Sequence, residues 1–101
     1  MSTLKRFSLS QIERALLSLP AWRFSRKALR RTFRFSTFAE AIRFTVEVAA
    51  HAERADHHPD IDIRFNQVHL ALHTHDVDGI SSRDIHLARL VESLEKRADR
   101  V

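Results

Sequence analysis

The sequence predicts an α+β domain of two layers, a four-stranded antiparallel sheet with three helices on one face, in the order α-β-β-α-β-β-α. Three observations carry this. Three Ser- or Thr-led starts each precede a run of helical periodicity, two pairs of short alternating runs lie between them, and the turn within each pair is too short for a parallel crossover.

Ser10-Gln11-Ile12-Glu13 matches a capping box and opens the first helix, with Ile12, Ala15, Leu16 and Leu19 as its apolar stripe and Pro20 as its stop. Trp22 to Ser25 reads as a short strand and Arg26-Lys27 as a turn. Leu29 to Phe35 alternates, with Leu29, Arg31, Phe33 and Phe35 on one face and Arg30, Thr32 and Arg34 on the other. Thr37-Phe38-Ala39-Glu40 is a second capping box. It begins a long helix to about Ala55 with Phe38, Ala41, Ile42, Thr45, Val46, Ala49 and Ala52 on its inward side.

Pro59 cannot continue that helix and biases His58 towards extended backbone. Ile61, Ile63 and Phe65 then alternate with Asp62, Arg64 and Asn66, and Val68, Leu70 and Leu72 alternate with His69, Ala71 and His73, which predicts a hairpin turning at Asn66-Gln67. Asp78-Gly79 marks the next turn. Ser81-Ser82-Arg83-Asp84 resembles a capped start for a last helix carrying Ile85, Leu87, Leu90, Val91 and Leu94.

The 101 residues suffice for one core, so residues 1–101 are expected to form a single domain. A hydrophobic fraction of 44% with 30% charged residues fits a folded globular chain. No cysteine is present, which excludes disulfides and thiolate metal sites. Met1 to Ser10 contains no apolar run of signal-peptide or membrane-span length, and the expected location is the cytoplasm.

The net charge of +4 is unevenly placed: residues 1–50 carry +7 and residues 51–101 carry −3. Arg23, Arg26, Lys27, Arg30, Arg31 and Arg34 are interleaved with Trp22, Phe24, Phe33 and Phe35, a combination that suits a small nucleic-acid-binding or regulatory module. The alternation itself favours a half-buried strand with one solvated charged face, so nucleic acid is the disfavoured partner. An anionic metabolite or acidic partner is a third reading of the same patch.

His57, His58 and His75 are the chemical signature of the chain. Imidazole is the side chain whose ordinary pKa lies nearest neutrality, which suits it to proton transfer. His57 and His58 precede the first strand of the hairpin and His75 follows the second. Pairing about Asn66-Gln67 sets residue 58 opposite residue 75. His51, His69, His73 and His86 are scattered and read as surface or helix-face residues. A zinc site would need three imidazoles on one ion, but adjacent side chains diverge along extended backbone and no His-x-x-x-His pair is present. Asp76 and Asp78 lack the other ligands of a calcium loop. Acid/base chemistry without a metal is the preferred reading.

The runs Glu53-Arg54-Ala55-Asp56-His57-His58-Pro59, Asn66 to Val68, Leu70 to Asp76 with Gly79, Arg83-Asp84-Ile85 and Leu87-Ala88 resemble pterin-4a-carbinolamine dehydratase. The similarity covers about Phe33 to Leu94, and extends more weakly to Leu9-Ser10 and Trp22. The resemblance implies a hydro-lyase that dehydrates 4a-hydroxytetrahydropterin to quinonoid dihydropterin and water, supports tetrahydropterin recycling, and uses no metal or organic cofactor. It also implies an antiparallel four-stranded sheet covered by three helices. Subunits of the family associate as homodimers through their sheets and, in some members, as homotetramers through helices. Here the last helix, with Leu87, Leu90, Val91 and Leu94, is the candidate for such contacts.

Carried over by position, His57, His58 and His75 are the catalytic cluster, and Glu53, Asp84, Pro59, Thr74 and Asp76 bind or orient the substrate. The dipole at the end of the long helix favours protonated imidazole at His57 or His58 as the acid, which leaves His75 as the base. Many relatives carry an aromatic residue, typically tryptophan, two positions after the proline, where this chain has Ile61. Some animal members also act as dimerisation cofactors of a homeodomain transcription factor, a role that nothing in these residues marks.

Overall fold

Helix α1 (Leu9–Leu16) begins one half-turn earlier than its strongest sequence signal. In a computed structural model, which describes residues 4–98, Ser8 rather than Ser10 is the cap. Ser8 Oγ accepts from the Gln11 amide at 3.2 Å, and Gln11 Oε1 accepts from the Ser8 amide at 2.8 Å. Both serines have a suitable partner three residues on, so the motif alone does not separate them. The ends of the expected domain, at 1 and 101, lie outside the described residues.

The remaining elements follow the expected order: β1 (Arg23–Ser25), β2 (Ala28–Arg34), α2 (Phe38–Ala55), β3 (Asp60–Arg64), β4 (Gln67–Leu72) and α3 (Ser82–Ala98), with a 3-10 turn at His75–Val77. The strands form one antiparallel sheet in the order β1-β2-β4-β3. Arg26 and Lys27, the two residues between β1 and β2, both have positive φ, at 51° and 65°. That is the twist a two-residue hairpin turn requires.

The β3–β4 hairpin corrects the expected register. Arg64 pairs with Gln67 and Asp60 with Ala71, so the turn is Phe65-Asn66 rather than Asn66-Gln67. Phe65 takes the left-handed conformation, φ 52°, while 70% exposed. A bulky residue there runs against propensity, which is why the sequence signal pointed one residue on. Asn66 instead donates its side-chain amide to the Phe35 carbonyl at 2.7 Å. The two-residue change keeps every side chain on its expected face, but it sets position 73, not 75, opposite position 58.

One face of the sheet presents Leu29, Phe33, Val68, Leu70 and Leu72 to the helices, each at most 2% exposed. Burial of each such side chain contributes about 1.5–3 kcal/mol. Arg31 lies on this same face and is accommodated by ion pairs to Glu92 and Glu95 of α3, with its guanidinium 3.9 Å from the centre of the Phe33 ring. Glu92 also accepts from the Trp22 indole at 2.7 Å.

Helix α2 presents the expected stripe only in part: Ala41 and Ala52 are buried as expected, but Phe44 and Val48 are buried with them, whereas Phe38 and Val46 are 52% and 63% exposed. The helix is apolar on two sides, and packing against β4 and α3 decides which side turns inward. Leu87, Val91 and Leu94 of α3 are buried in the protein's own core, so this stripe is not available to a partner. Among the described residues, no helix is long and apolar enough to cross a membrane.

Candidate active site

The two adjacent histidines are aimed in opposite directions by the way α2 ends. Asp56 adopts the left-handed conformation, φ 50° and ψ 45°. The His57 amide then donates to the Ala52 carbonyl at 3.1 Å, and the Asp56 amide to the Glu53 carbonyl at 3.2 Å. This pair of bonds is a Schellman closure, with aspartate where glycine is commonest. The reversal leaves His57 8% exposed and sends His58 to the surface.

His57 belongs to a buried polar network. Its Nε2–H donates to Asp84 Oδ1 at 2.6 Å, and the other oxygen of Asp84 accepts from the Thr74 hydroxyl at 2.6 Å and the Ser81 amide at 2.9 Å. The Thr74 and Ser81 hydroxyls are 2.7 Å apart. Asp84 is fully buried, and its three donors supply the hydrogen bonding that a carboxylate needs away from water. The same bonds cap α3: Ser81 Oγ accepts from the Arg83 amide at 3.2 Å while the Asp84 side chain reaches back to Ser81. The helix start and the histidine anchor are thus one structure.

His58 and His75 line an open cleft of about 290 Å³ at the end of the sheet, together with His73, Arg26, Arg30 and Asp78. His58 Nε2–H donates to Glu53 Oε1 at 2.6 Å, five residues back on the last turn of α2. Both side chains are more than half exposed, so water screens their attraction and the pair chiefly fixes the ring's orientation. His75 sits on the 3-10 turn, where the loop is closed by backbone bonds between Thr74 and Gly79 at 2.8 and 3.3 Å. Its ring meets that of His73 edge to face, with centroids 4.9 Å apart.

His73 Nδ1–H donates to the Lys27 carbonyl at 2.7 Å, and its Nε2 lies 3.7 Å from Asp78. Lys27 in turn donates to Asp78 at 2.9 Å. That hydrogen bond and the ammonium charge hold the Asp78 carboxyl below its ordinary value, against a small opposing effect of desolvation, with His73 and Arg6 adding to the lowering. The turn between β1 and β2 is thereby tied to the loop that carries His75.

Of the eight residues singled out in the sequence, His58 and His75 share the cleft, and Glu53 orients His58. His57, Asp84 and Thr74 form the buried network beside it. Pro59 starts the extended segment into β3, and Asp76 is exposed on the 3-10 turn, outside the cleft lining. Sequence reasoning named Ser81, His73, Lys27 and Asp78 for other reasons and gave none of them a place at the site. His73 has a signal in hindsight, because it stands two residues before His75 and so leaves the strand on the same side. Gly79 is not at positive φ; the left-handed residue of this turn is Asp78, φ 48°. A Cβ on Gly79 would come within 2.6 Å of Arg6 Cδ.

Comparison with known proteins gives the family and the fold. The family model described as pterin 4 alpha carbinolamine dehydratase matches residues 5–94. A protein of Acidobacterium capsulatum, provisionally named pterin-4-alpha-carbinolamine dehydratase, is 51% identical over 82% of this chain and 90% of its own length. One from Chloroflexus aurantiacus with the same provisional name is 44% identical over 88% of this chain and 96% of its own.

Among solved structures, a transcriptional coactivator/pterin dehydratase from Brucella melitensis superposes with a TM-score of 0.86 at 33% identity, covering 89% of this chain and 98% of that one. A pterin dehydratase-like protein described as a RuBisCO assembly factor in the alpha-carboxysome aligns with a TM-score of 0.66 at 24% identity, over 74% of this chain and 89% of that one, a likeness of fold alone. Fold and family together define a hydro-lyase. The chain belongs to the pterin-4a-carbinolamine dehydratase family.

Proposed function

We propose that the protein dehydrates 4a-hydroxytetrahydropterin to quinonoid dihydropterin and water by imidazole acid/base catalysis, and so serves tetrahydropterin recycling. The observation that carries this reading is the placement of His58 and His75 on one cleft, with His58 held by Glu53. In the reaction the C4a–O bond breaks, N5 loses its proton, and a C4a=N5 double bond forms. Hydroxide is a poor leaving group, so the departing oxygen must gain a proton as the bond lengthens, while a base takes the proton from N5. The two protons balance, and water is the only product besides the quinonoid pterin.

His58 is suited to the acid role, because Glu53 both fixes its ring and gives the imidazolium a counter-charge. His75 has no side-chain hydrogen bond among the described residues beyond its ring contact with His73, which leaves its nitrogens open to substrate as the base. His57 acts from below. Its bond to Asp84 ties the segment carrying His58 to the start of α3 and to Thr74, next to His75. A second copy of the chain is the expected partner, and the exposed Phe38 and Val46 of α2, rather than α3, offer the apolar surface for a helix-mediated contact.

The test is direct. The 4a-hydroxypterin is generated in situ and its ultraviolet absorbance followed with and without protein. Faster loss of the intermediate with wild type than in buffer supports the reading; equal rates end it. A second reading, a nucleic-acid module on the arginine strand, loses part of its surface here, since Trp22 and Phe33 are core residues and Arg31 is paired with α3, which leaves Phe24 as the exposed ring beside the arginines.

A further inference from the structure

The face of the sheet away from the helices carries a second concavity. It is a groove of about 330 Å³ that crosses the strands and shares Arg26, Arg30, Asp60 and Ala71 with the histidine cleft. Thr32, His69 and Ala71 form its floor, with Thr32 Oγ1 and His69 Nδ1 2.7 Å apart. Ala71 is the small residue at the point where groove and cleft meet.

The charges around the groove are unequal. Arg23, Arg26 and Arg30 stand on the β1–β2 side, and none of them has a carboxylate within ion-pair distance among the described residues. Arg30 is anchored through Nε to the Ser25 carbonyl at 3.0 Å, which holds its guanidinium in place. On the opposite side, Asp62 is paired with Arg64 at 3.2 Å, leaving Asp60 as the remaining counter-charge. Three guanidinium groups thus face one unpaired carboxylate. Guanidinium forks of this kind match carboxylate and phosphate groups.

We propose that this groove receives an anionic C6 substituent of the pterin, a carboxylate or phosphate, and makes the protein selective for acidic pterins over neutral ones. The inference rests on the dehydratase reading, which puts the pterin ring in the cleft. C6 is separated from the reacting C4a only by N5, so a C6 substituent leaves the ring close to the histidines. Continuity through Arg26, Arg30 and Ala71 gives it a path onto the sheet.

Oxidised pterins are stable and fluorescent, so binding can be read without turnover. The full-length protein is titrated at low salt with 6-carboxypterin, with a pterin bearing a phosphorylated C6 side chain, and with neutral 6-hydroxymethylpterin. The wild type is expected to bind at least one of the acidic pterins about tenfold more tightly than the neutral one, a preference that shrinks as salt is added. Preference for both anions identifies a charge-reading groove, and preference for one names the group it takes. Arg23→Ala, which touches the groove but not the cleft, is expected to reduce the preference severalfold and leave binding of the neutral pterin unchanged. Arg23→Ala/Arg30→Ala is expected to remove the preference. Equal affinities in the wild type, or a preference that survives the double variant, overturn the proposal. If none of the three pterins binds, the placement of the ring in the cleft is wrong, and the proposal falls with it.

Discussion

His57 and Asp84, 27 positions apart in the chain, are joined by a 2.6 Å hydrogen bond in the interior, where Asp84 also caps α3 and holds Thr74. Position 84 therefore sets stability before it sets anything else. Asp84→Ala removes the acceptor of three buried donors, which costs about 3 kcal/mol or more. For a domain of this size the melting temperature should fall by roughly 12 °C or more, measured by circular dichroism. An unchanged Tm would mean that the network is not satisfied as described.

The bridge between Lys27 and Asp78 has a pH signature. Asp78 is held below its ordinary value of 3.8 mainly by its hydrogen bond to Lys27 and the charge of that ammonium. A lowered folded pKa means that the stabilisation is present above the ordinary value and is lost as pH falls through the lower, folded one. In Lys27→Ala, Asp78 should titrate closer to 3.8 than in wild type, as followed by carboxyl-carbon NMR. Identical midpoints would contradict the pairing.

Phe65 occupies a left-handed turn position, φ 52°, without packing to justify it at 70% exposure. Phe65→Asn should stabilise the hairpin by about 0.5–1 kcal/mol, raising Tm by roughly 2–8 °C. A lower Tm would show that the aromatic ring has a packing role.

The exposed side of α2 bears on assembly. If a second copy covers Phe38 and Val46, Val46→Glu should shift the protein towards monomer in sedimentation equilibrium while leaving its circular dichroism unchanged. An assembly indifferent to this substitution places the contact elsewhere.

The element order and the faces of the alternating residues in β2, β3 and β4 were legible because strand alternation and capping motifs are local. The inward side of α2 was legible only at Ala41 and Ala52, since Ile42 and Val46 on one flank and Phe44 and Val48 on the other are equally apolar, and tertiary packing chose between them. The convergence of the hairpin ends was readable, but its register depended on Phe65 accepting a conformation that its type disfavours. At the site, His58 and His75 were found by sequence, whereas His73 was set aside with the isolated histidines. The inward turn of His57 was hidden for a related reason: it depends on Asp56 taking a left-handed position usually given to glycine.

His58 and His75 are proposed to work as an acid and a base on one substrate. The most direct measurement is the rate of 4a-hydroxypterin loss under wild type, His58→Ala, His75→Ala and the double variant, with folding checked by Tm. Because the two rings are exposed, Tm should hold. Each single variant is expected to lose about 10²–10⁴-fold in rate, and the double variant much less than the product of the two losses. Single variants within twofold of wild type would contradict the account.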